Sequence, residues 1–75
     1  SAYDEALVIN IEQEHLIGQA TIMGNLGRIY LEQGRVEEAI ARLKESLEIF
    51  KPFAADSQME KIREMLAEAA RTRDQ

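Results

Sequence analysis

The sequence contains no cysteine, a single histidine and a single proline. Without cysteine there is no disulfide, no thiolate zinc site and no thiol nucleophile. His15 has no second imidazole with which to build a histidine-based metal site, so no metal and no other cofactor is expected. Long apolar runs are missing too. The longest, Ala6-Leu7-Val8-Ile9, falls far short of the ~20 residues a helix needs to cross a bilayer. No membrane partner is expected, and with nothing resembling a signal peptide at the N-terminus the expected setting is reducing and cytoplasmic. Basic excess is also absent. The net charge is −5, and Asp4, Glu5, Glu12, Glu14 and Glu32 against Arg28 place −4 of it in residues 1–34, which leaves −1 for the rest. A nucleic-acid binder needs a basic patch to neutralise phosphates. Lys61, Arg63, Arg71 and Arg73 are interleaved with Glu60, Glu64, Glu68 and Asp74, the pattern of a solvated helix face, so no nucleic acid is expected as a partner.

What remains is an ordinary globular balance of 45% hydrophobic and 31% charged residues in 75 residues, enough for one domain. A core of this size contributes about 3–5 kcal/mol at most. With disulfides and metals excluded, self-association or membership of a longer array is left as the source of further stability.

The breakers are Gly18, Gly24, Gly27, Gly34 and Pro52. Apolar residues recur at spacings of three and four, with no two-residue alternation, so the chain is expected to be all-α. From about Ile17 to Gln33, Ile22, Met23, Leu26, Ile29 and Tyr30 form one stripe, followed by Gly34 where a left-handed helix cap is wanted. Val36, Ala39, Ile40, Leu43, Leu47 and Phe50 form a second, ended by Pro52, which lacks the N–H that would continue the helix. So short a link makes the two an antiparallel hairpin. A further helix starts near Asp56 or Ser57, where Ser57 and Glu60 fit a capping box. Met59, Ile62, Leu66 and Ala69 or Ala70 supply its buried side. The segment from Ala2 to about Glu14 is apolar nearly all round and by itself reads equally as a buried strand.

Sliding the chain by 40 residues places Ala6-Leu7-Val8-Ile9 on Ser46-Leu47-Glu48-Ile49, Ile22 on Ile62, Leu26 on Leu66, Gly27 on Ala67 and Tyr30 on Ala70. This internal repeat makes the first segment a helix buried on two sides. The run Asn25-Leu26-Gly27-Arg28-Ile29-Tyr30, then Gly34, Glu38-Ala39-Ile40, Leu43 and Leu47 closely resembles the tetratricopeptide-repeat (TPR) signature. In it, Gly27 and Ala39 are small so that two helix backbones can approach, and Tyr30 and Leu43 fill the space around them. The period near 40, with Gly-Asn-Leu-Gly at 24–27, resembles the longer-repeat subclass of kinesin light chains and spindle-orientation adaptors. The chain departs from the pattern at Met23, Ser46, Pro52, Ala67 and Ala70.

The resemblance implies an all-α fold of about four helices, antiparallel hairpins of an α-solenoid fragment. Residues 1–15 would be the second helix of a preceding repeat, 16–53 a complete repeat and 54–75 the first helix of a following or capping repeat. A chain that starts and stops mid-repeat is expected to be a piece of a larger protein or to complete its stack by self-association. The implied function is non-enzymatic: binding a partner protein or peptide, extended or helical, in the groove lined by the first helices of the repeats. The alternative is a structural segment that forms a homo-oligomer through exposed end helices. The implied groove positions are Thr21, Asn25, Arg28, Glu32, Lys61, Met65 and Glu68. Asn25 leads them, because a side-chain amide can donate to and accept from a peptide backbone together. Family members that hold chaperone tails use a clamp of several Lys, Arg and Asn residues. Only Asn25 and Lys61 fit that clamp and Met65 stands at a basic position, so that ligand class is not expected.

No catalytic constellation is legible. His15, Ser46 and Ser57 have no partnered acid or nucleophile in the sequence, and Glu12/Glu14 and Glu37/Glu38 are spaced so that they do not face each other on a helix. Gly24 and Gly27 lack the strand before and the Lys-Ser/Thr after that a phosphate loop requires.

Overall fold

The computed structural model describes the backbone of residues 2–75 and the side chains of residues 11–75. Three α-helices follow one another: α1 (Ala2–Glu32), α2 (Val36–Phe50) and α3 (Asp56–Arg73), with a single 3-10 turn at Lys51–Phe53 between the last two. The expectation of about four helices is therefore corrected. Residues 2–32 form one helix with no turn near His15. The physical reason is the lack of a strong breaker: Gly18 alone costs a helix about 1 kcal/mol relative to alanine, too little to end it. The expected two-sided burial of Leu7, Val8 and Ile9 lies outside the described side chains.

The α1–α2 turn is closed by backbone geometry. Gly34 sits at φ +76, in the left-handed region where a side chain is strained. Its N–H donates to the Leu31 carbonyl at 3.1 Å and the Arg35 N–H donates to the Tyr30 carbonyl at 2.8 Å, the pair of bonds of a Schellman cap. Arg35 then places its guanidinium 4.5 Å from the centre of the Tyr30 ring and pairs with Glu38. That hydrogen bond, with the Glu38 charge, raises the Arg35 pKa further above its usual value.

At the other end of α2, Pro52 opens the 3-10 turn and Ala54 takes a left-handed conformation at φ 50. The capping box expected at Ser57 and Glu60 does not form. The cap position of α3 is Ala55, with no side-chain cap bond, and Ser57 lies inside the first turn. The reversal at Ala54 brings the Asp56 N–H onto the Ala54 carbonyl at 2.9 Å, so the backbone itself starts the helix two residues before a cap at Ser57 would.

The hairpin closes on small residues. A Cβ built on Gly27 would stand 2.6 Å from both Cγ and Cδ2 of Leu43 and 3.4 Å from the Ala39 carbonyl oxygen. One built on Gly24 would stand 3.4 Å from the Ser46 hydroxyl, which is fully buried and donates to the Ala20 carbonyl at 2.6 Å. Ala20, Gly24 and Gly27 thus form the face of α1 that meets α2. Of the larger stripe expected there, Ile22 is 59% exposed and Ile29 40%, while Met23, Leu26 and Tyr30 are half-buried. A smaller face packs better because α2 and α3 bring the bulk, through Leu43, Phe50, Met59 and Ile62. Ala39 and Ala69 complete the buried set. α3 packs mainly on α2 and touches α1 only lightly, which leaves a groove between α1 and α3.

Candidate functional site: a groove between α1 and α3

The groove follows from helix periodicity on both walls. From α1, Thr21, Asn25, Arg28 and Glu32 recur at spacings of four, three and four, beside the packed Gly24. From α3, Lys61, Met65 and Glu68 recur at four and three. Asn25, Arg28, Lys61, Met65 and Glu68 line a central hollow of about 690 Å³. It extends in one direction into a hollow of about 280 Å³, where Glu32 joins Arg28, Met65 and Glu68. In the other direction it meets one of about 230 Å³, where Thr21 joins Asn25, Lys61 and Met65. All seven positions inferred from the sequence therefore lie along one continuous surface.

Further residues line it that the sequence reading did not include: Glu64 and Arg71 in the centre, Thr72 at one end, Gln58 and Phe50 at the other. Glu64, Arg71 and Thr72 stand three, ten and eleven residues after Lys61, the spacing of one helix face, so the α3 face that holds Met65 and Glu68 also contains them. Phe50 comes from α2 and is placed there only by tertiary packing.

The groove is rich in charge of both signs. Arg28, Lys61 and Arg71 face Glu32, Glu64 and Glu68 around it. Among the described residues, ion pairs within 4.0 Å form elsewhere: Arg35–Glu38, Arg42–Glu45 and Lys51–Glu48 on the turn and on α2, and Arg73–Glu37 beyond the end of the groove. The three groove cations are held by no carboxylate at that distance among these residues. The groove threonines, by contrast, spend their donors on their own helices: Thr21 Oγ1 donates to the Ile17 carbonyl at 2.8 Å and Thr72 Oγ1 to the Glu68 carbonyl at 3.0 Å. Their oxygens remain as acceptors. No group of three or more His, Asp or Glu side chains gathers into a metal site among the described residues. Nor is any described helix long and apolar enough to cross a membrane.

An antiparallel helix hairpin that crosses on glycine and alanine, turns on a left-handed glycine and carries a further helix against its second member is the unit of a helical-repeat scaffold. The tetratricopeptide-repeat family model matches residues 1–51, and the chain belongs to that family. No curated protein and no solved structure matches it. Tetratricopeptide repeats are in general protein-interaction modules without catalytic activity.

Proposed function

We propose that the α1–α3 groove is the working surface of this chain and that it binds a segment of a partner protein, extended or helical, as a non-catalytic scaffold. The observation that carries the reading is the set of groove cations, Arg28, Lys61 and Arg71, which pair with no carboxylate among the described residues, beside the exposed amide of Asn25. None of these four is needed to fill the core, and each keeps hydrogen-bond donors free for a ligand. Asn25 supplies donor and acceptor to a peptide backbone, the cations take carboxylates or carbonyls, and Met65 offers an adaptable apolar floor. Alternating Glu64 and Glu68 favour a partner of mixed rather than uniform charge.

In this reading residues 16–53 are one complete repeat, 1–15 belong with a preceding one and 54–75 open or cap the next. The 40-residue period and the Gly-Asn-Leu-Gly at 24–27 support the longer-repeat subclass that resembles kinesin light chains, and a cytoplasmic setting suits a cysteine-free scaffold.

The test is selection of displayed peptides on the immobilised chain, followed by titration of a selected peptide against native protein, Asn25→Ala and the double variant Arg28→Ala/Lys61→Ala. All three proteins are expected to keep the same helical circular dichroism. Binding is expected to fall about tenfold for each variant, the equivalent of ~1.4 kcal/mol. Peptides that bind every variant equally, or no selectable peptide at all, would exclude the groove.

A further inference from the structure

The side of α1 that faces away from α2 carries a second row, with exposed isoleucines that no described residue covers. Ile11 is 54% exposed, Ile22 59% and Ile29 40%. His15, Gly18 and Asn25 complete the row, so that 11, 15, 18, 22, 25 and 29 alternate at spacings of four and three. That is a coiled-coil seam, the repeat that lets one helix lie along another. A Cβ built on Gly18 would meet nothing within 4 Å, which leaves a gap in the row one turn before its most exposed isoleucine.

We propose that two copies of this chain pair through this row, α1 against α1, in antiparallel orientation. In that orientation Ile22 fills the gap at the partner's Gly18, Ile11 meets the partner's Ile29, and His15 meets the partner's Asn25. The flank of the seam carries Glu14, Thr21 and Arg28, one before each of three seam positions. In antiparallel coiled coils such flanking positions face their own kind. Glu14 therefore lies against the partner's Arg28, and Arg28 against the partner's Glu14, with Thr21 between them on the two-fold axis. Parallel pairing in register would set Gly18 on Gly18, leaving the gap open, and would put Glu14 opposite glutamine at 19 and Arg28 opposite glutamine at 33. Shape and charge together select the antiparallel form. The seam is ~27 Å long, so the interface is small and the association reversible and concentration-dependent. Asn25, Thr21 and Arg28 belong to both the pairing surface and the groove, so pairing competes with a groove ligand for them, whereas Ile22 and Gly18 do not line the groove and report on the pairing alone.

Sedimentation equilibrium of the whole chain from micromolar to millimolar concentration tests it. The native chain is expected to form a reversible dimer, and Ile22→Glu to remain monomeric with unchanged helical circular dichroism, as an exposed position allows. Arg28→Glu alone and Glu14→Arg alone are each expected to weaken dimerisation by about threefold to tenfold, and the double reversal Arg28→Glu/Glu14→Arg to restore it. A native chain that stays monomeric throughout overturns the proposal, as does association that survives Ile22→Glu. Failure of the double reversal to restore what the single ones lose overturns the antiparallel register.

Discussion

Gly27 is where α1 and α2 come closest, and its lack of a side chain is what permits the approach. Leu43 opposite it is fully buried and has no free direction in which to retreat. Gly27→Leu is expected to lower stability by about 1–3 kcal/mol, the usual cost of overpacking, read as a fall in the urea midpoint. Gly18 has the opposite surroundings, with open space where a Cβ would stand. In the monomer Gly18→Ala is expected to raise stability by up to about 1 kcal/mol, since only the helix propensity changes there. Both roles turn on a residue's neighbours. The Gly27 role was legible because Leu26-Gly27, Tyr30 and Ala39 carry the signature of a helix crossing. The Gly18 surroundings were not, because a glycine inside a helical pattern looks alike with a neighbour or without one.

At the scale of elements, α3 is held by what it buries rather than by its cap. Ser57 makes no cap bond, so Ser57→Ala is expected to shift the thermal midpoint negligibly, where a working serine cap would lose about 1 kcal/mol. Ile62, 3% exposed and packed in the cluster with Leu43, Phe50 and Met59, carries the docking instead. Ile62→Ala is expected to cost about 2–5 kcal/mol in chemical denaturation and to weaken groove binding along with it, because α3 forms one wall. Helix ends at Gly34 and Pro52 were readable because each residue has a backbone property that ends a helix wherever it stands. The start of α3 near Asp56 was legible, but its cap was not: Ser57 and Glu60 fit a capping box, whereas the left-handed turn at Ala54, which leads into the helix, has no signal in an alanine. The missing break in α1 has a similar origin: the repeat pattern implies two helices there, yet no residue between Glu14 and Ile17 is strong enough to force a turn.

The whole molecule is a thin body, 56 Å by 19 Å by 13 Å, with a small core and four exposed ion pairs among its described residues. Exposed pairs contribute about 0–1 kcal/mol each and are screened by salt. Raising the ionic strength is therefore expected to move the thermal midpoint by only a few degrees, as measured by circular dichroism, because burial of Ala20, Leu43, Phe50 and Ile62 carries the fold. By itself the sequence determined the helical class, the ends of the hairpin and its crossing on Gly27 and Ala39, since periodicity and backbone chemistry act locally. Tertiary structure alone decided which of the two apolar faces of α1 is packed. Periodicity assigns residues to a face, but only the bulk arriving from Leu43, Phe50, Met59 and Ile62 made the face of Ala20, Gly24 and Gly27 the buried one and left Ile22 and Ile29 outside.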